Sequence, residues 1–346
     1  MFYLNRLHIF YNKTHFLLIH FLVYIFFQNI IIDNNNQRRF HMTRKIGIIG
    51  MGHVGSTVAH ALIAQGIGDD YVFIDTNVDK VNADMIDFQD ALANATYHAN
   101  LVLNDYDALS DADVVISALG DISLQNNKEA NRFAELPFTS KEVYDVSQKL
   151  KSSGFRGILI VVTNPVDAIT QLYQEYTQFP KSRVIGTGTL LDTARMKRVL
   201  GQRLQVDPRS IGGYNLGEHG NSQFVAWSQV TVKGQPAISL LKAEELEQIK
   251  EASLKGGHTV FFGKKYTSYG IATAAVRIVL TVLNDSHELL PVSTFYESEG
   301  VYLGYPAIIG RVGIVERISL SLSPKEEQQL TDSAAFIRNY LKHINL

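Results

Sequence analysis

Lys45-Ile46-Gly47-Ile48-Ile49-Gly50-Met51-Gly52-His53-Val54-Gly55 decides the fold of this chain. Its first part is a short apolar run, residues 46–49, which reads as a parallel strand buried on both faces. The run enters Gly50-x-Gly52-x-x-Gly55, and the helical pattern Val58, Ala59, Leu62, Ile63 follows. The three glycines have separate duties. Gly50 makes the tight turn, Gly52 lets backbone approach a pyrophosphate, and Gly55 lets the helix pack close on the strand. Backbone N–H groups around His53 and Val54 would face the phosphates from the positive end of the helix dipole. A second apolar run, 71–74, ends in Asp75, twenty residues after Gly55. A carboxylate there binds the adenine-ribose hydroxyls and repels a 2′-phosphate, so the cofactor expected is NAD rather than NADP.

Working outward from that motif, strands alternate with helices. A helix is expected over 78–95, strands over 101–103 and 113–119, and a polar loop over 121–135. A helix over 137–153, a strand over 157–162, a helix to about 178 and a strand over 183–185 follow. This is the order of a doubly wound parallel sheet, which binds ligands beyond the carboxyl ends of its strands. Asp75, Gly120 and Asn164 all fall at such ends. The pattern changes after Gly186. A helix over 190–204 is followed by strands over 224–228 and 229–232, helices over 243–262 and 268–284, strands over 289–294, 307–312 and 315–320, and a last helix from Pro324. The expected architecture is α/β: a Rossmann NAD-binding domain over 42–187 and an α+β catalytic domain over 188–346.

The second part carries the chemistry. Leu191-Asp192-Thr193-Ala194-Arg195 and Gly217-Glu218-His219-Gly220 bring a carboxylate, a guanidinium and an imidazole close in sequence. His219 can take and return a hydroxyl proton near neutral pH. Asp192 can orient the ring and stabilise its charged form. Arg195, three residues along the same helix face, can hold a carboxylate through two parallel hydrogen bonds. These are the parts that a 2-hydroxy acid oxidoreductase requires.

Composition narrows the alternatives. Lys and Arg number 32 against 34 Asp and Glu, so the near-neutral balance gives no sign of a nucleic-acid partner. The chain has no cysteine, which removes disulfides, thiol catalysis and Cys-based zinc sites; no metal is expected. Residues 1–41 differ from the rest. They contain no Ala, Gly, Ser, Pro or Glu, yet hold seven of the eighteen Phe. Their apolar run, 16–32, is marginal for a membrane span and lacks a small-residue cleavage site after it. Three readings stand: a membrane anchor, a loosely structured appendage, or a translated upstream region with Met42 as the working start. The third is the expectation, with membrane association only if the extension is real.

From Met42 onward the chain resembles the L-lactate/malate dehydrogenase family. Within it the resemblance is to L-2-hydroxyisocaproate dehydrogenases, which act on larger 2-oxo acids. It rests on the glycine motif with Asp75, on Val162-Thr163-Asn164-Pro165-Val166-Asp167, on Gly186-Thr187-Gly188-Thr189-Leu190-Leu191-Asp192-Thr193-Ala194-Arg195, and on Asn215-Leu216-Gly217-Glu218-His219-Gly220-Asn221. The resemblance implies His219 as proton donor and acceptor paired with Asp192, and Arg195 as carboxylate clamp. It implies Arg132 as the loop arginine that polarises the substrate carbonyl. Asn164, before a cis proline at Pro165, would sit between nicotinamide and substrate, and Thr267 would line the substrate pocket. A cytoplasmic homo-oligomer, a tetramer, is implied as well.

Departures from the family bear on specificity. Residues 121–131 contain no Arg to receive a second carboxylate, and Asp121 would repel one. The loop is longer than in lactate dehydrogenases, and Ile122 and Leu124 are available to line a wider apolar pocket. Gly212 stands where fructose-bisphosphate-regulated relatives carry a His. The expected activity is therefore NAD-dependent oxidation of L-2-hydroxy acids with medium aliphatic or branched side chains. L-lactate dehydrogenase is the alternative, and a catalytically idle NAD-binding protein is the alternative of a different class.

Overall fold

Strand β1, Lys45–Ile49, is the centre from which the structure is built. Its side chains alternate between faces, so Ile46 and Ile48 enter one hydrophobic layer and Ile49 enters the other. That is why the run is apolar at nearly every position. Each fully buried Ile contributes about 1.5–3 kcal/mol. The computed structural model describes residues 43–121 and 135–342. Residues 1–41 and their three readings, together with Ile122, Leu124 and Arg132, lie outside the described residues.

The strands that follow are β2 (Asp70–Ile74), β3 (Asn100–Leu103), β4 (Val114–Ser117), β5 (Ile158–Val161) and β6 (Val184–Gly186). Helices α1 (His53–Ala64), α2 (Val78–Leu92), α3 (Leu136–Ser152) and α4 (Val166–Thr177) connect them. All neighbours among β1–β6 pair in parallel, in the order β3-β2-β1-β4-β5-β6. This is the doubly wound sheet expected from the alternation, and its switch point lies between β1 and β4. Helix α1 contributes Val58, Ala59 and Leu62 to the layer of Ile46 and Ile48. Helices α3 and α4 contribute Val143, Leu150, Ile169 and Leu172 to the layer of Ile49.

Beyond β6 come α5 (Leu190–Leu204), β7 (Ile211–Gly212), β8 (Asn215–Leu216), β9 (Phe224–Val225), β10 (Thr231–Val232), β11 (Gln235–Pro236) and the single turn α6 (Ala237–Leu240). Helices α7 (Ala243–Lys264) and α8 (Tyr269–Leu283), strands β12 (Glu288–Tyr296), β13 (Val301–Gly310) and β14 (Gly313–Arg317), and α9 (Pro324–Leu341) complete the described chain. Strands β12–β14 are antiparallel, as expected for this half, but they extend the first sheet. Ser293 of β12 pairs with Gly186 of β6, which gives nine strands in the order β14-β13-β12-β6-β5-β4-β1-β2-β3.

Among the expected strands, those over 224–228, 229–232 and 307–312 differ most from those observed. Residues 224–228 form a strand only at Phe224–Val225, and Trp227–Gln229 is a 3-10 turn. Ser228 donates from its N–H and Oγ to Glu326, at 3.0 and 2.6 Å, and Gln229 Nε2 donates to the Ser321 carbonyl at 2.7 Å. These tertiary bonds outcompete strand pairing. Strand β13 begins at Val301 rather than 307, because pairing along all of β12 overrides the local discouragement of Gly304 and Pro306.

Candidate active site

The glycine motif forms a cradle at the amino end of α1. Gly50 has φ +89°, a conformation that L side chains rarely adopt. A Cβ on Gly55 would stand 1.9 Å from the Gly50 carbonyl oxygen, so only glycine lets α1 close on the turn. A Cβ on Gly52 would meet nothing within 4 Å, which leaves its backbone open to a ligand. Asp75, at the end of β2, accepts hydrogen bonds from Met51 N–H at 2.6 Å and Asn77 N–H at 2.8 Å. The Asp75 carboxylate is thus fastened to the glycine turn. Lys80 Nζ also donates to the Met51 carbonyl, a contact that the sequence did not suggest.

Gly52, His53 and Val54 line a cavity of about 570 Å³ that also reaches Gly120 and Asn164 at the ends of β4 and β5. Asn164 precedes Pro165 through a cis peptide bond, as the resemblance implied. Its Oδ1 is buried and accepts no hydrogen bond from the described residues. A buried acceptor without a protein partner is costly, and a carboxamide or hydroxyl donor from a bound ligand would satisfy it. The open glycine backbone and this acceptor both fit a dinucleotide. The His53 ring stacks flat on Tyr266, with centroids 3.9 Å apart and planes 3° from parallel.

Asp192 lies in the first turn of α5 and is 3 % exposed. Its Oδ2 stands 2.5 Å from His219 Nδ1, and its Oδ1 accepts from Arg195 Nη1 at 3.1 Å. A carboxylate can only accept, so in this pair Nδ1 carries the proton. His219, Asp192, Arg195 and Thr267 all border the cavity that holds Asn164. Arg132 lies outside the described residues.

The loop carrying His219 is pinned residue by residue. Gly217 exchanges two backbone hydrogen bonds with Gly304 of β13, each 2.9 Å. Glu218 N–H donates to Ser333 Oγ of α9 at 2.7 Å. His219 N–H donates to Asp167 Oδ2 of α4, also at 2.7 Å. Burial pushes the Asp167 carboxyl up to about 7. Hydrogen bonds from Ser293 and the His219 N–H pull it down, and the charges of Glu218 and Asp192 raise it further.

Sequence reasoning quoted Asp167 without giving it a task, and it missed the face of α7. Ser253, Leu254, Gly257, His258 and Phe261 of that helix border the cavity. A Cβ on Gly257 would stand 3.2 Å from Arg195 Cζ, so this glycine lets α7 lie against the guanidinium. A signal was present in Gly256-Gly257 inside a helical pattern, where each glycine costs roughly 0.5–1 kcal/mol relative to Ala. Among the described residues no cluster of His, Asp or Glu is arranged to hold a metal ion. None of their helices is by itself long and apolar enough to cross a membrane.

The arrangement can grip a carboxylate at Arg195, pass a proton at His219 and seat a dinucleotide along the glycine cradle. Comparison with known proteins agrees with that chemistry. Residues 44–186 match the model of the lactate/malate dehydrogenase NAD binding domain, and residues 189–345 match that of the family's alpha/beta C-terminal domain. L-lactate dehydrogenase 3 of Bacillus cereus is 37% identical over 313 residues, covering 87% of this chain and 98% of the relative. L-lactate dehydrogenase 2 of Lactococcus lactis subsp. lactis is 32% identical over 313 residues, with the same coverage. The minor L-lactate dehydrogenase of Enterococcus mundtii, in its ligands-bound crystal form, superposes with a TM-score of 0.82 at 33% identity, covering 88% of this chain and 99% of that one. The matched NAD-binding model and the cradle agree, and NAD is the cofactor. The relatives' names favour lactate dehydrogenase over the hydroxyisocaproate group expected from the loop.

Proposed function

Because the chain belongs to the lactate/malate dehydrogenase family, we propose that it is an NAD-dependent L-2-hydroxy acid dehydrogenase, with L-lactate and pyruvate as the pair that its relatives' names support best. The observation that carries the reading is the contact of Asp192 with both His219 and Arg195 at the edge of one cavity. When bound, NADH supplies the hydride that the carbonyl carbon receives. This chain's residues do the rest. Arg195 binds the 2-carboxylate of the substrate. His219 gives its Nε2 proton to the carbonyl oxygen as negative charge grows there, and Asp192 stabilises the imidazolium before that transfer. In the reverse direction His219 takes the hydroxyl proton. Arg132, by the family resemblance, adds a second positive group at the same oxygen.

A second reading has its own support. The absence of Arg from 121–131, with Ile122 and Leu124 there, favours 2-oxo acids with branched aliphatic side chains over dicarboxylates. Leu254, Phe261 and Ile271 give the described part of the cavity an apolar wall of the same character. Three further carbons on the substrate could contribute about 2 kcal/mol if partly buried. An unpaired second carboxylate would cost several kcal/mol.

Steady-state kinetics with NADH and pyruvate, 2-oxoisocaproate and oxaloacetate separates these readings. A preference of tenfold or more for pyruvate supports lactate dehydrogenase. Higher kcat/KM for 2-oxoisocaproate supports the wider pocket, and oxaloacetate is expected to be worst in both cases. No NADH oxidation with any of them overturns the reading in favour of an idle NAD-binding protein. A cytoplasmic homotetramer is proposed on the family resemblance, and sedimentation of the purified chain tests the assembly.

A further inference from the structure

We propose that Asp167 is a positioning residue for proton transfer, its carboxyl clamping the main chain of His219 to α4 while Ser293 ties the same carboxyl to β12. The proposal rests on the reading of His219 as proton donor and acceptor. Asp167 sits in the first turn of α4, where an acidic side chain ordinarily does no more than face the helix dipole. Here it is 2 % exposed and both oxygens are engaged elsewhere. Oδ2 accepts the His219 N–H at 2.7 Å, from a residue 52 positions away. Oδ1 accepts the Ser293 hydroxyl at 2.5 Å, from a residue 126 positions away, itself fully buried.

The clamp acts where precision matters. The Asp192 carboxylate reaches the His219 ring from α5, whereas the His219 main chain is held by Asp167 from α4. Ring and backbone are therefore fixed from two different helices, and the aim of Nε2 depends on both. A displacement of about 1 Å at a reacting group can cost ~100-fold in rate.

The Asp167 carboxyl is also titratable. The titratable groups facing it are Asp192 on α5, which is paired with Arg195, and Glu218 and His219 on the pinned loop. Ser293 faces it from β12 and carries no charge. With its carboxyl pushed up to about 7 by burial, Asp167 changes charge in the range where histidines do.

Three full-length variants test this: Asp167→Ala, Asp167→Asn and Ser293→Ala. Each is assayed for pyruvate reduction across pH and for NADH binding by fluorescence. An Asn oxygen can still accept the His219 N–H, and its NH₂ can donate to Ser293 once that hydroxyl turns, so the clamp survives without the charge. Asp167→Ala is expected to lower kcat at least ~30-fold with NADH affinity within ~2-fold of wild type, since only the aim of His219 is disturbed. Asp167→Asn should recover about tenfold of that loss, because the amide keeps the clamp. Ser293→Ala should lower kcat about 3–10-fold through the loosened clamp. An Ala variant within twofold of wild type, or an Asn variant no more active than Ala, overturns the proposal. Should Asp167→Ala fail to fold, Ser293→Ala decides: a loss in kcat of about 3–10-fold with NADH affinity kept supports the clamp, and turnover within about twofold of wild type overturns it. A wild-type chain that oxidises no NADH with either pyruvate or 2-oxoisocaproate overturns the functional reading and the proposal together. Turnover by wild type with unaffected variants removes the proposal alone.

Discussion

His219 Nδ1 and Asp192 Oδ2 stand 2.5 Å apart, although the residues are 27 positions apart in the chain. Helix α5 presents the carboxylate, and a loop held by three other elements presents the ring. The same carboxylate receives Arg195 on its other oxygen, so one side chain orders both the imidazole and the guanidinium.

Replacing His219 by Gln is expected to lower kcat at least ~100-fold, because the amide cannot exchange a proton with the substrate oxygen. NADH affinity should stay within about twofold. Stopped-flow turnover and fluorescence titration check the two halves. Near-normal turnover would remove His219 from the mechanism.

Asp192→Asn should damage both functions at once. The amide can meet Nδ1 with either an acceptor or a donor, so the productive tautomer is no longer enforced. Arg195 loses an anionic partner at the same time. The expected outcome is a loss in kcat of ~100-fold or more together with a changed KM for the 2-oxo acid. A change in KM alone would mean that Asp192 serves only the guanidinium.

Asp75→Ser should narrow the preference for NAD over NADP, because the charge that repels a 2′-phosphate disappears. The Met51 N–H also loses a 2.6 Å acceptor, so KM for NADH should rise through a looser phosphate-binding turn. The ratio of the two kcat/KM values is the readout. An unmoved ratio would place Asp75 away from the ribose.

Stability should carry the signature of Asp167. Its folded carboxyl is raised to about 7 from an ordinary 3.8, so between those values the native state binds the proton that the unfolded chain releases. The contribution is complete below pH 3.8 and is lost as pH rises through 7. Asp167→Asn does not titrate. The stability of wild type relative to this variant should therefore fall between pH 4 and 7, by on the order of a few kcal/mol, and level off above that. Parallel denaturation curves test it, and a difference that does not change with pH would contradict it.

Removing residues 1–41 should leave an active enzyme. The composition breaks at Met42, and the family models match from residue 44. The shortened chain is expected to be soluble, with kcat and KM within about twofold of the full chain. A truncation that is insoluble or inactive, beside a membrane-bound active full chain, would support the anchor instead.

Local chemistry made much of this protein legible in advance. The apolar run before Gly50, the spacing of Gly50, Gly52 and Gly55, and Asp75 at the next strand end announce a dinucleotide-binding sheet. Each residue there is dictated by its immediate neighbours: a turn needing positive φ, a helix pressing on a carbonyl, a strand buried on both faces. The pairing of Asp192 and Arg195 was equally readable, since three residues along a helix bring two side chains to one face.

Contacts between distant segments were not legible, because nothing local requires them. That β12–β14 extend the first sheet depends on Ser293 meeting Gly186. The 3-10 turn at Trp227–Gln229 depends on Glu326 and Ser321 reaching back to it. The α7 wall and the Asp167 clamp depend on helices brought together by packing. The sequence by itself determined the parallel sheet and the cofactor, since short-range sterics and hydrophobic periodicity decide those. Only the tertiary structure decided how the His219 main chain is held, since a buried N–H must find an acceptor, and the one it finds lies 52 residues away on a helix with which it shares no local pattern.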